Sequence, residues 1–183
     1  LQDVTSHEGD ADLRAQMWIF DAVDVGGDAD VSATSITLTS LAGGIGFPLN
    51  DLEINTSNAG FAGTLTASSM HGDIYIIEKS GDLGLNTISA GLAQTAYITN
   101  PNGRILNRVI DPADKNAASG KLWLFAVNDI GEIDKPITSQ AQAIEARSTN
   151  GNVVIDNTGA VEVGGVIDGE FNGEDASGIW AGG

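Results

Sequence analysis

The sequence predicts an all-β protein, a parallel β-helix in which short strands coil into stacked rungs. Three observations predict it: short period-two segments, glycine-rich punctuation between them, and landmarks that recur in order along the chain. The segments are ITLTS (36–40), LEINT (52–56), TLTAS (64–68), DIYII (73–77), DLGLN (82–86) and AYITN (96–100). Each alternates apolar residues with mainly Thr, Ser, Asp or Asn, as a half-buried strand does. Twenty-four glycines against four prolines supply tight turns rather than a stiff linker. Aromatic residues make up only 5 % of the chain, so Ile, Val, Leu and Ala must fill the interior. An antiparallel sandwich or propeller is the alternative all-β solution, but a narrow solenoid core suits these smaller side chains better.

The recurrence begins with SITLTSLAGGIGFPLNDLEI, which starts at Ser35 and returns in degenerate form as KLWLFAVNDIGEIDKPITS from Lys121. Ile45-Gly46 matches Ile130-Gly131, and Leu52 matches Ile137, both about 85 positions apart. Upstream, MWIFD ending at Asp21 pairs with GRILN ending at Asn107. Downstream, GDIYI from Gly72 pairs with GNVVI from Gly151, and GDLGL from Gly81 with GAVEV from Gly159. These later pairs are closer in sequence, which places a surplus in copy one at NAGFAG, 58–63. SGIWA at 177–181 opens a third copy. Residues 1–183 therefore read as a single β-helix segment built from two degenerate super-repeats of about 80 residues. The first covers about 17–102 and the second about 103–176, with a third starting at 177–183, so the chain reads as a slice of a longer array.

Within the opening repeat, SITLTS and DLEINT read as strands and LAGGIGFPLN as the bend between them. Ile45 points inward there and Gly46 permits the tight turn. SQAQAIEARS (139–148) is rich in helix formers. Its Ala141, Ala143, Ile144 and Ala146 form no clean stripe three and four apart, and it aligns with strand-like sequence in copy one. It reads as strand.

Composition narrows function. Eight Lys and Arg stand against 25 Asp and Glu, a net charge of −17, which repels nucleic acid and anionic membrane surfaces. Such a balance suits an extracellular protein in millimolar divalent cation or high salt. Without cysteine there is no disulfide, thiol nucleophile or Cys-based zinc site. No apolar run is long enough to span a membrane as a helix.

Catalytic motifs are missing: there is no G-x-S-x-G elbow and no H-E-x-x-H pair. His71, in SSMHGD, reads as a solvated turn residue, and His7 likewise. Asp51 and Glu53, two apart on a strand, would share a face that glycoside hydrolysis could use. With 25 acids, however, such pairs arise freely, as Asp21 and Asp24 also show. The expectation is a protein that is not an enzyme.

Calcium is the most credible cofactor. In DAVDVGGDADV, Asp21, Asp24, Asp28 and Asp30 surround Gly26-Gly27, and Ca²⁺ takes carboxylate oxygens from such loops. The spacing fits neither an EF-hand nor the calcium-binding nonapeptide repeat, and the same residues also read as a solvated acidic turn. NGEDASG, 172–178, is a weaker second candidate. The glycine-rich turns lack the Lys and following helix that a phosphate cradle needs. Trp18 and Trp123 sit in WIF and WLF. If Ile19 and Leu124 are core, both indoles face outward and offer a platform for glycan rings or a neighbouring subunit. Packing between super-repeats is their other reading.

The ordered landmarks, Ile36–Ser40, Gly43–Gly46, Leu52–Asn55, Gly72–Ile76, Gly81–Ala90 and Gly103–Asn107, resemble the repeats of very large bacterial exoproteins of the filamentous haemagglutinin-like adhesin class. Copy one departs from their usual Pro-Leu with Asp51-Leu52, and Lys135-Pro136-Ile137 keeps only the Pro. The resemblance implies a right-handed parallel β-helix exported by a two-partner route and used for adhesion or biofilm cohesion. The expected role is thus a structural, adhesive segment of a large secreted bacterial surface protein, extracellular or attached to the cell surface. Its partners would be host or bacterial cell-surface glycans or proteins, or copies of itself, without nucleic acid and without membrane insertion. A self-assembling filament subunit and a carbohydrate-active β-helix enzyme stay open as alternatives. The enzyme would need clustered acids with Arg or Tyr on one sheet face, which the sequence alone does not display.

Overall fold

A computed structural model describes residues 4–6, 9–21, 28–57, 63–167, 170–171, 174–175 and 178–182. Every assigned element in them is a strand, and no helix is long and apolar enough to cross a membrane. The strands coil as a parallel β-helix with two principal faces. On one face Asp10–Ala15, Ser35–Ser40, Thr64–Ser69 and Leu83–Ala90 lie side by side in parallel. On the other, Leu52–Asn55, Ile74–Glu78 and Thr95–Asn100 do the same. The longer strands Ala117–Ala126 and Ile137–Ser148 cross from the first face to the second: Ala117 pairs with Ile88, while Leu122 pairs with Ala96. On the second face a column of partners, Ile19, Ile45, Ile74, Ala96, Leu122 and Ile144, marks six successive rungs. The described exception to parallel pairing between strands is Glu170–Phe171 against Glu174–Asp175.

Period two builds the core. In Ser35–Ser40 and Thr64–Ser69 alternate residues are buried, so Ile36, Leu38, Leu65 and Ala67 stack inside while the threonines line the outer surface. Each fully buried Ile or Leu contributes about 1.5–3 kcal/mol relative to exposure, and vertical stacking repeats that gain at every rung. The segment at 139–148 is strand, as its register demands. Backbone partners from Ala117–Ala126 on one side and Ile155–Asn157 on the other override its helical propensity.

The repeated landmarks have common local causes. At three corners a serine hydroxyl accepts from the glycine amide three residues on: Gly43 to Ser40 at 3.2 Å, Gly72 to Ser69 at 3.1 Å and Gly151 to Ser148 at 2.9 Å. Stacked corners leave no space for a side chain there, since a Cβ on Gly72 would lie 2.5 Å from the Gly44 nitrogen.

The Ile-Gly landmark is a looped-out strand. Ile45 pairs with Ile74, so Gly46 stands against Tyr75, yet Leu52 already pairs with Ile76. Residues 47–51 leave the strand as a tight hairpin in which Phe47 and Asn50 exchange backbone hydrogen bonds of 2.9 and 3.0 Å. The same backbone pairing recurs after Ile130-Gly131, with Glu132 and Lys135 exchanging bonds of 3.1 and 3.0 Å before Ile137 resumes. Gly46 and Gly131 both adopt positive φ, 66° and 71°, and a Cβ on either would fall 2.2 Å from a neighbouring carbonyl oxygen. The copies differ in placement. Ile130 stacks with Ile105 and Val153, and Ile105 with Leu83, on the face opposite Ile45. One super-repeat therefore advances the chain by three turns and one further face. The expected bend between SITLTS and DLEINT is in fact a corner at 41–44, a single rung position at Ile45-Gly46, and then the hairpin.

Glu78 is a charged-type residue turned into this core. It is fully buried, and its two carboxyl oxygens accept from the Thr56 amide at 3.0 and 3.1 Å and from the Thr56 hydroxyl at 2.8 Å. Burial outweighs these bonds and raises its pKa to about 8. The folded state thus holds a proton that the unfolded chain releases near 4.5, so this group's contribution to stability is fully present below that pH and is lost as pH rises through about 8. Thermal melts from pH 5 to 9 should show the Glu78→Gln variant losing less stability with rising pH than the parent. Equal losses would contradict this assignment. A second comparison isolates the hairpin glycines. Gly159 has positive φ but open space within 4 Å of where a Cβ would stand, whereas Gly131 has both constraints. Chemical denaturation should show Gly131→Ala destabilising by about 2 kcal/mol or more, and clearly more than Gly159→Ala.

Candidate functional site

The outward positions of the second face form two neighbouring columns. One runs Tyr75, Tyr97, Trp123, Glu145; the other runs Glu53, Ile77, Thr99, Phe125, Arg147. Both follow from period two, since each residue lies between inward core positions such as Ile74 and Ile76 or Leu122 and Leu124. Tyr75, Tyr97 and Trp123 of the first column and Glu53, Ile77, Thr99 and Phe125 of the second floor a groove of about 640 Å³, within the roughly 300–1,000 Å³ typical of ligand sites.

Each end of the groove is built differently. At one end stands the 47–51 hairpin, whose Pro48, Leu49, Asn50 and Asp51 form a wall. At the other, Val166 and Ile167 fold over the aromatic column. That segment is held by Lys121 Nζ donating to the Gly165 carbonyl at 2.7 Å and by the Ile167 amide donating to Glu145 Oε2 at 2.9 Å. Tyr75 and Tyr97 stack, with ring centroids 4.4 Å apart and planes 10° from parallel. On the rung before Tyr75 the matching position is Gly46, where the 47–51 hairpin leaves the strand.

The groove is acidic. Asp51 makes no side-chain hydrogen bond or ion pair with any described residue, and burial pushes its pKa up to about 6. Glu53 is balanced in part by Lys79, whose ammonium lies 3.6 Å away. No Lys or Arg is among the described residues lining the groove. Burial also raises both tyrosine hydroxyls.

A carboxylate cluster adjoins it. One oxygen each from Asp21, Asp30 and Glu53 lie within 4.8 Å of one another. Asp21 is buried, and the Glu53 amide donates to Asp30 Oδ2 at 3.2 Å. Such a set could hold a hard cation such as Ca²⁺. Of the acids expected from sequence, Asp21 and Asp30 meet here, Asp28 is exposed outside the cluster, and Asp24 lies outside the described residues. Glu53 joins from the next rung. NGEDASG lies largely outside the described residues, as does His7, and His71 is exposed at a corner.

The tryptophans part company. Trp123 is outward-facing, but Val166 and Ile167 pack on its cluster and leave it no accessible surface, so it supports the groove rather than offering a bare platform. Trp18 is 39 % exposed and stacks on Phe47 at 4.7 Å, away from the groove lining. Sequence reasoning missed Tyr75 and Tyr97, although DIYII and AYITN place each tyrosine at an outward position. It also paired Asp51 with Glu53 as strand neighbours. They do line one groove, but Asp51 is on the hairpin and only Glu53 on the strand. Comparison with protein-family models, curated proteins and solved structures finds no match.

Asp30 gives the cluster a pH signature. Burial raises its pKa to about 6, the Glu53 amide opposes this, and the charges of Asp21 and Glu53 add to the rise. A raised carboxyl stabilises the fold below its unfolded pKa of 3.8, and that contribution is lost as pH climbs through 6. Without added divalent cation, Asp30→Asn should melt higher than the parent at pH 7 and converge with it near pH 4. A variant melting lower at pH 7 would contradict the assignment.

Proposed function

We propose that this chain is an adhesive segment of a large secreted bacterial surface protein, acting outside the cell in attachment or biofilm cohesion. The stacked rungs supply length and stiffness, and the groove on the second face takes a ligand carried by another surface. The observation that supports this best is the groove itself: a hairpin, an aromatic column and unbalanced acid gathered on one face of an otherwise repetitive scaffold. The acidic, cysteine-free composition and the resemblance of the repeats to filamentous haemagglutinin-like exoproteins agree with the setting. The groove is read as a binding surface rather than a catalytic one.

Beads coated with the purified chain provide the test. They should bind biofilm-forming bacteria or epithelial cells above the level of bare beads. Ile77→Arg, which fills the groove from an outward strand position, should return adhesion to that level while the circular dichroism spectrum stays β-rich. Adhesion unchanged by Ile77→Arg, or absent from the parent, would overturn the reading.

A further inference from the structure

The groove's floor and its one unbalanced charge specify its occupant more narrowly. Asp51 sits on the hairpin wall, partly withdrawn from water, and no described residue donates to its carboxylate. A carboxylate in that position gains most from a cation that also donates hydrogen bonds. In the same groove, the stacked Tyr75 and Tyr97 present aromatic surface beside the hairpin. A planar cation satisfies both demands, because a guanidinium stacks on an aromatic face and bonds a carboxylate through two parallel N–H groups. The chain shows the same taste elsewhere, with the Arg147 guanidinium 4.8 Å from the centroid of Trp180.

Resting on the reading of this groove as the adhesive site, we propose that it binds an extended, arginine-bearing polypeptide segment, with the guanidinium paired to Asp51 and lying against the groove's tyrosines. The rest of the groove favours a polypeptide over a sugar chain. Ile77, Phe125, Val166 and Ile167 make its lining mainly apolar and suit aliphatic side chains flanking the arginine, whereas its neutral polar groups are Asn50, Thr99 and the hydroxyls of Tyr75 and Tyr97. The chain's net charge of −17 draws basic partners in and turns anionic glycans away.

The test uses the whole chain, isotope-labelled, with three probes: the peptide acetyl-Gly-Leu-Arg-Leu-Gly-amide, its analogue with citrulline in place of arginine, and a neutral hexose oligosaccharide. Citrulline keeps the planar shape and removes the charge. The arginine peptide should shift the amide resonances of Tyr75, Asn50 and Asp51, and the citrulline peptide should bind at least tenfold more weakly. Asp51→Asn removes a half-buried charge that has no partner, so it should fold at least as stably as the parent, and it should also lose tenfold or more for the arginine peptide. Equal binding of the two peptides, or an unchanged affinity in Asp51→Asn, would overturn the proposal. Groove shifts with the oligosaccharide and none with the arginine peptide would overturn it too, but would leave the adhesive groove standing. Silence from all three probes together with cell adhesion that ignores Ile77→Arg would remove both.

Discussion

Parallel backbone hydrogen bonding between rungs sets every other feature of this molecule. Neighbouring strands lie about 4.8 Å apart, so each residue is stacked directly on its register partner and side chains form columns rather than a mixed interior. Inside, the columns are Ile, Leu, Val and Ala, with Ile45, Ile74, Ala96 and Leu122 one above another. At the corners the same spacing brings backbone to within van der Waals limits of backbone, which is why glycine recurs at Gly43, Gly72 and Gly151 and serine closes the turn beside it. A side chain added at those glycines would have to separate two rungs, and the disturbance would reach every column they share.

The groove is what the column rule produces on the outside. Outward residues also stack, so tyrosines spaced one rung apart become a ring stack without any further design. The 47–51 hairpin then interrupts a regular face at a place where the strand itself is unbroken, because Gly46 and Leu52 occupy adjacent positions beside Tyr75 and Ile76. Scaffold and site are in this way separable: the ladder continues beneath while the hairpin carries Asp51 to the groove. The second hairpin, at 132–136, closes with the same pair of backbone bonds but stands on the opposite face and carries Glu132, which approaches Arg104 at 3.7 Å. One motif thus serves two surfaces, because a super-repeat advances the chain by three turns and one further face.

Much of the scaffold was legible in the sequence. Alternation located the strands, the Ile45-Gly46 and Ile130-Gly131 match showed that the two stretches are related although the hairpins in them were read as a bend, and the alignment of 139–148 with strand sequence correctly outweighed its helical propensity. The face on which each copy lies was not legible, since rung length varies and a register count needs the corners. The site was legible only in pieces. Trp123 was rightly turned outward, but nothing local announces that Val166 and Ile167 return to cover it. Tyr75 and Tyr97 sit in different segments, and their contact exists only once the rungs are stacked. Glu53 joins Asp21 and Asp30 for the same reason, as residues from successive turns that no linear motif records.

The most direct measurement on this account is the thermal melt, by circular dichroism, of a chain lacking residues 47–51. If the hairpin is looped out of a continuous strand, joining Gly46 to Leu52 leaves the ladder intact. The β-rich spectrum and a cooperative transition should then persist within a few degrees of the parent. Loss of the cooperative transition would contradict the account, showing that the hairpin belongs to the scaffold and that fold and groove are not separable.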